Sequence, residues 1–539
     1  MKPLKPFDSS GAFRPGTNQL LGLALRGAGV TVLTSGLGLG IQVISTITLA
    51  RLLTPRDFGV VTMVTTFSLL LLNFGLNGFT EAVIQTAEIN DALVSNLFWI
   101  NLGFGALLTV AFAATGSLMA KFYREPQVAS VAIGISLTIF LTSTSVQHLA
   151  LLKRSMRFSV VSANDICARI IAIGLMIVLA WAKWGYWALV AGTVVQPVAQ
   201  SLGAWYLCRW VPSLPRKAPG TGSMVRFAIN VYGRFSVNYF ARNMDNLLVG
   251  WRFDAPTLGY YKKAYDLFAL SASQLVSPLT VVAVSALSRL DRHSAEFKRY
   301  LLRALSVTAF VGMGVGACLT LVGGDVIRVV LGPGWEESGR IFTFFGAGIG
   351  VMLLYGTHGW IHLSIGRADR WFRWGIAEFA FTGLLFLLGL HWGPVGIATA
   401  WTASFWILTI PAFWYAGKPI NLGVGIIIEA VWRYLLASLL AGAAAAFILR
   451  GFPSLHAAPG TLGAALRIGV TSLLFTVLYL GSVTLLYWGC TPLYQLAGLV
   501  REMVPWGKLS KRFARAGEAG AHTEGQPAVT PEKANELVS

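Results

Sequence analysis

Apolar stretches of about twenty residues recur from one end of the chain to the other, and stretches of that length with few charges are what a helix needs to cross a bilayer. They fall at about 28–50, 59–82, 95–117, 127–150, 159–181, 186–208, 226–250, 259–285, 300–322, 341–364, 373–390, 395–416, 430–449 and 466–488. Backbone N–H and C=O groups in lipid must be satisfied internally, which leaves helices and closed barrels. The segments are too long and too uniformly apolar for barrel strands, whose inward and outward residues alternate. The expected fold is therefore all-α and integral to the membrane, with about fourteen transmembrane helices. Only 12% of the 539 residues are charged, against about 25% in soluble domains.

The formal net charge of +19 invites a nucleic-acid reading, so its placement decides. Basic residues crowd the loops on the side of the N-terminus: Lys153, Arg154 and Arg157; Arg209, Arg216 and Lys217; Arg289, Arg292, Lys298 and Arg299; Arg367, Arg370 and Arg373. The opposite loops hold fewer, among them Arg51, Arg56, Lys121 and Arg124. The positive-inside rule then places both termini in the cytoplasm. Lipid headgroups and topology absorb the charge, and with no nucleic-acid motif present, nucleic acid is not an expected partner. Cys167, Cys208, Cys318 and Cys490 sit in or beside apolar segments without paired spacing, so neither a metal nor a disulfide framework is expected. The N-terminus lacks the short apolar region and cleavage site of a signal peptide, and the first span is expected to remain.

Two short patterns repeat at a distance near 200 residues. Thr54-Pro55-Arg56-Asp57-Phe58-Gly59 joins the first two spans as Asp254-Ala255-Pro256-Thr257-Leu258-Gly259 joins the seventh and eighth, and Trp184-Gly185 corresponds to Trp392-Gly393. Two six-helix halves of the same orientation follow, parallel repeats of a kind that builds transporter cavities at the repeat interface. The expected organisation is a cytoplasmic segment 1–27, an N-lobe 28–209, a linker 210–223, a C-lobe 224–417, additional helices within 428–490 and a disordered cytoplasmic tail 513–539. Pro212, Pro215, Pro219, Gly220 and Gly222 break helix in the linker and give it slack.

Within the seventh span Asn230, Arg234, Asn238, Arg242 and Asp245 follow one another at helical spacing along one face. Ionisable groups are expensive in lipid, so the column is expected to face a wet cavity or the bundle interior. Arginine forks suit phosphate or carboxylate, and Asp245 neutralises at most one of them. The matching face of the first span is uncharged, with Thr34, Gln42 and Ser45. The second span adds Asn73, Asn77, Glu81 and Gln85 at four-residue spacing, suited either to cavity lining or to interhelical hydrogen bonds. Asp165 and Arg169 read as a pair within one helix. Asp245, Asp266 and Glu378 are the candidates for a coupling ion, with a salt bridge to Lys262 as the alternative for Asp266. His358 and His362, one turn apart, lack a third ligand and read as packing or pore lining. No Walker motif, GxSxG or HExxH appears, and the outer loops are too short for the catalytic loop of a glycan polymerase or ligase. Neither an enzyme nor a cofactor is expected.

The stretch Leu49-Ala50-Arg51-Leu52-Leu53-Thr54-Pro55-Arg56-Asp57-Phe58-Gly59 with Asn73-Phe74-Gly75-Leu76, and the block from Asn243-Met244-Asp245-Asn246 through Leu258-Gly259-Tyr260-Tyr261 to Ala286-Leu287-Ser288-Arg289-Leu290, resemble the Wzx-type oligosaccharide flippases of the multidrug/oligosaccharidyl-lipid/polysaccharide exporter superfamily. The family's proline before the Ala-Leu-Ser-Arg run is Ser285 here. The resemblance implies two six-helix lobes around a central cavity and flipping of undecaprenyl-diphosphate-linked repeat units across the plasma (inner) membrane by alternating access, driven by H+ or Na+. It also implies a place beside polysaccharide polymerase and assembly proteins. Asn230, Arg234, Asn238, Arg242, Gln42, Asn73 and Asn77 are then the expected substrate contacts. A multidrug antiporter of the same superfamily, a peptidoglycan-precursor flippase and, in another class, a membrane glycan polymerase or ligase are the alternatives; the two arginines argue against a site for cationic drugs.

Overall fold

The structure, a computed structural model, describes residues 4–13, 20–73, 78–86, 88–452, 460–490 and 494. Helices account for nearly all of it: α1 (Leu20–Leu52), α2 (Pro55–Asn73), α3 (Thr80–Gln85), α4 (Asp91–Tyr123), α5 (Gln127–Ser143), α6 (Val146–Arg154), α7 (Phe158–Trp181), α8 (Tyr186–Leu207), α9 (Thr221–Arg252), α10 (Ala255–Leu287), α11 (Ala295–Val330), α12 (Glu336–Gly356), α13 (His358–Ser364), α14 (Ala368–Gly389), α15 (Gly393–Gly417), α16 (Val424–Arg450) and α17 (Gly460–Leu486). The described residues form no strand, only isolated bridges such as Phe7 with Phe13. The protein is an all-α, multi-pass membrane protein. Among the described residues ten helical stretches are long and apolar enough to cross a membrane, one of them the 53-residue run Ala368–Ile420 that holds both α14 and α15. Helix also covers the expected segments on α8, α9 and α10, which are 22, 32 and 33 residues long.

Helix ends follow local chemistry. Asn90 accepts from the Leu93 N–H at 2.8 Å to start α4, Asp254 accepts from Thr257 N–H at 3.0 Å to start α10, and Ser294 caps α11 from Phe297 N–H at 3.1 Å, each side chain pairing an N–H that the first turn leaves orphaned. The repeated Trp-Gly pair has a backbone reason: Gly185 and Gly393 both take positive φ, 56° and 73°, which a residue without Cβ adopts freely. Trp184 and Trp392 beside them are exposed, as residues of an interfacial belt are.

One group of helices packs α4 on α5, α7 on α8, and α1 on α7, with α2 against α5; a second packs α11 on α12, α12 on α15 and α14 on α15. Contacts between the groups run mainly through α2 against α9 and α10. Helices α16 and α17 pack on each other and on α11. There Arg467 forks onto Asp325 (Nη2 to Oδ1 2.6 Å, Nε to Oδ1 3.0 Å), and the Tyr479 hydroxyl donates to the Phe310 carbonyl at 2.7 Å. The segment between α8 and α9 is non-helical, as expected, but it is not slack. Its backbone is laid along the first turns of α4: Ser213 N–H donates to Ser95 Oγ at 3.0 Å, Asn96 Nδ2 donates to the Arg216 carbonyl at 2.6 Å, and Arg216 N–H donates to Asn96 Oδ1 at 3.0 Å. Trp210 Nε1 donates to Asp91 Oδ1 at 2.8 Å on the same surface.

Candidate functional site

The two copies of the first repeated pattern meet. The starts of α2 and α10 cross so closely that a Cβ on Gly59 would stand 1.7 Å from the Ala255 carbonyl oxygen, and one on Gly259 would stand 1.9 Å from that of Pro55. Each helix presents a glycine to the first turn of the other, a reciprocal contact between pseudo-equivalent backbones. The helix starts are themselves rigid: Asp57 Oδ2 accepts from Thr54 N–H at 2.8 Å and from its hydroxyl at 2.7 Å, while Asp254 caps α10. The two copies exchange the roles of Thr and Asp across the cap and third helical positions.

Side chains close around this crossing. Trp335 is buried, packs edge-on to Phe58 at 5.6 Å and donates from Nε1 to the Ala50 carbonyl at 2.9 Å. Arg51 Nη2 donates to the Val329 carbonyl at 3.0 Å, and Lys263 Nζ lies 3.8 Å over the Phe58 ring. Every one of these contacts joins residues of the first group to residues of the second. Deeper along α2, Tyr239 donates to the Thr66 carbonyl at 2.7 Å and Tyr232 to that of Leu70 at 3.1 Å. The crossing lies at the end of the bundle away from Arg154, whose guanidinium donates to the carbonyls of Val83, Ile84 and Thr86 near the far end of α2 and α3.

Asp245 faces the bundle interior, one of the two settings expected for its column. It is fully buried, with Oδ2 accepting from the Tyr261 hydroxyl at 2.8 Å and from Trp401 Nε1 at 2.9 Å, and Oδ1 accepting from Asn246 N–H at 2.8 Å. The carboxyl thereby ties α9 to α10 and α15. Tyr261 enters the sequence reading only as part of the resemblance block and Trp401 not at all, since their spacing from Asp245 carries no helical signal.

The remaining column residues, Asn230, Arg234, Asn238 and Arg242, belong to helical α9, and their side chains lie outside the described residues, as does Asn77 altogether. Gln42 is exposed on α1. The Asn73 amide turns back to donate to Leu69 O of its own helix at 2.6 Å. Asp266 forms an ion pair with Lys262 on α10, the salt-bridge alternative, and Asp165 pairs with Arg169 at 3.0 Å as expected for a single helix. Glu378 lies on α14, four residues after Trp374, whose Nε1 donates to the Tyr355 hydroxyl at 2.8 Å.

Residues 48–340, more than half of the chain, match the family model described as polysaccharide biosynthesis protein. Two similar proteins are the teichuronic acid biosynthesis protein TuaB of Bacillus subtilis, 22% identical over 70% of this chain and 78% of that protein, and the lipopolysaccharide biosynthesis protein WzxC of Escherichia coli, 22% identical over 72% and 79%. In fold the chain is similar to the lipid II flippase MurJ in an inward closed conformation, with TM-score 0.68 and 13% identity, covering 85% of this chain and 98% of that one.

Proposed function

We propose that this chain, which belongs to the polysaccharide biosynthesis protein family, is a flippase that moves undecaprenyl-diphosphate-linked oligosaccharide repeat units across the plasma (inner) membrane by alternating access. The observation that carries the reading is the reciprocal crossing of Gly59 and Gly259 between two helix groups. Glycine lets the two backbones meet, and the Trp335, Arg51 and Lys263 contacts around them close the crossing further, as a gate between rocking lobes requires. The biosynthetic names of TuaB and WzxC and the likeness in fold to a lipid II flippase support a lipid-linked saccharide as cargo.

In this reading Arg234 and Arg242 hold the diphosphate, whose charge suits forked donors. Asn230, Asn238, Gln42, Asn73 and Asn77 face the sugars, and the prenyl tail stays in the bilayer. Both termini are cytoplasmic, and polymerase and assembly proteins take the cargo on the far side. A gradient of H+ or Na+ drives the cycle through Asp245, Asp266 or Glu378. Of the three, Asp266 is paired with Lys262 and Asp245 holds three donors, so either would exchange those partners to take up the ion.

The test is complementation of a deletion strain of the host by the Arg234→Ala/Arg242→Ala variant. Surface glycan is expected to disappear while the protein stays at its normal level in the membrane. Unchanged glycan would remove the α9 column from the mechanism, and altered drug resistance with intact glycan would redirect the substrate to small cations.

A further inference from the structure

The last two helices, α16 and α17, are fastened to α11 differently at their two ends. At one end Arg467 of α17 forks onto Asp325 of α11, a guanidinium and a carboxylate that complete each other. At the other end, where α11 and α16 begin and α17 stops, the fastening is neutral. Ser306 Oγ and the Tyr434 hydroxyl are 2.9 Å apart, and ring centroids stand 5.7 Å apart for Phe310 and Tyr434 and 5.1 Å apart for Tyr434 and Tyr487. Two arginines gather around this contact. Arg433, beside Tyr434 in α16, lies 4.9 Å from the centre of the Tyr487 ring and 5.7 Å from that of Trp432. Arg303 precedes Ser306 by three residues and Phe310 by seven, so it continues the face of α11 that meets Tyr434, one turn nearer the helix start.

Neither guanidinium is satisfied as Arg467 is. Among the described residues Arg303 and Arg433 have no hydrogen-bonded or ion-paired acceptor, and Glu429, one turn before Arg433 on α16, is exposed and makes no ion pair with it. Arg433 is half-buried and Arg303 exposed. The Tyr487 ring attracts the Arg433 charge through its face, yet a ring face leaves the five N–H donors without an acceptor. The depth of the two arginines is set by the helices that carry them. The run 304–324 of α11, between Arg303 and Asp325, is uncharged and about 30 Å long at 1.5 Å per residue, the thickness of the hydrocarbon layer. Arg303 therefore stands at one face of that layer and Asp325 at the other. Trp432 and Trp488, exposed on either side of Arg433 and Tyr487, mark the same headgroup level.

We propose that Arg303 and Arg433 form a binding site for the phosphodiester headgroup of an anionic membrane phospholipid, which closes the junction of α11, α16 and α17 at this face of the bilayer as Asp325 closes it at the other. A phosphodiester supplies the acceptor oxygens that two forked donors lack, and basic pockets between transmembrane helices are where anionic headgroups settle. The acyl chains run along the outer sides of α16 and α17, where apolar side chains such as Leu440 and Leu485 are exposed. In the topology proposed above the leaflet is the cytoplasmic one. The site involves neither the α2–α10 crossing nor the α9 column, and it stands whatever the cargo is.

The test uses the purified full chain with phosphatidylglycerol and phosphatidylcholine as probes, counting bound lipid by native mass spectrometry and reading the thermal midpoint in nanodiscs of either lipid. Wild type is expected to retain phosphatidylglycerol in preference and to unfold at a higher temperature in it. Arg303→Gln/Arg433→Gln is expected to weaken that retention at least about tenfold and to lose the difference in midpoint, while matching wild type in phosphatidylcholine. Arg433→Lys, which keeps the charge without the fork, is expected to fall between. Arg209→Gln/Lys217→Gln removes the same charge from the first helix group and is expected to change neither reading. Undiminished retention by the Arg303/Arg433 variant overturns the site. So does an equal loss in the Arg209/Lys217 variant, which would reduce the effect to general attraction between cations and an anionic surface. A midpoint lowered alike in both lipids, with retention intact, would make the arginines structural and also overturns it. Undecaprenyl diphosphate that displaces phosphatidylglycerol at equal concentration, and needs the same two arginines, would turn the site into a cargo subsite and overturns the phospholipid assignment.

Discussion

Asp245 shows how far one side chain is legible from its neighbours in sequence. The spacing of Asn230, Arg234, Asn238, Arg242 and Asp245 placed it on a polar face, and α9 is helical there. Its burial is decided by Tyr261 and Trp401, on helices whose approach to α9 leaves no local mark in the chain. Three donors on one carboxylate hold α9, α10 and α15 in a fixed relation. Tyr261→Phe removes one donor and almost no volume, so the loss isolates the hydrogen bond. Stability of the detergent-solubilised protein is expected to fall by about 1–3 kcal/mol, read as a lower thermal midpoint. An unchanged midpoint would mean that the carboxyl finds an equal partner elsewhere.

At the scale of elements, helix positions were readable because apolar length and Gly, Pro and Asn punctuation are local properties. The behaviour of the segment between α8 and α9 was not. Its prolines and glycines exclude helix, but composition alone suggests slack, whereas order comes from Ser95 and Asn96, which bind the backbone of Ser213 and Arg216, and from Asp91, which binds the Trp210 indole, each more than a hundred residues away. The segment is therefore held to the first helix group up to Arg216, and Asn96 reaches on to the Thr221 hydroxyl at the start of α9 at 3.3 Å, just past Gly220 with its φ of 92°. Asn96→Ala removes both hydrogen bonds to Arg216 and the one to the Thr221 hydroxyl. At about 1.5 kcal/mol or more for the set, local opening is expected to rise at least about tenfold, and tryptic cleavage after Arg216 and Lys217 to quicken in proportion. Cleavage at the wild-type rate would return the segment to the status of a loose tether.

For the molecule as a whole, the repeat was visible as two matching patterns, yet one sequence displays likeness and not adjacency. That the copies touch each other, Gly59 on Ala255 and Gly259 on Pro55, is a property of the assembled bundle, and it makes the two glycines equivalent in effect. A methyl group at either position meets a backbone carbonyl, which has no rotamer to yield, so α2 and α10 must move apart. The strain, of order 3 kcal/mol, falls only on the state in which the helices cross, and so shifts the population towards the parted state by about a hundredfold. In a background without native cysteines, the thiol introduced by Leu258→Cys reports the shift, because Leu258 is fully buried beside the crossing. A membrane-impermeant maleimide is expected to label it slowly in the parent and much faster with either Gly59→Ala or Gly259→Ala, and surface glycan is expected to fall with both because the gate no longer seals. Equal effects from two positions 200 residues apart follow from the reciprocal contact. Fast labelling from one substitution alone would break the pseudo-symmetry on which the gate argument stands, and slow labelling from both would show that the crossing does not open.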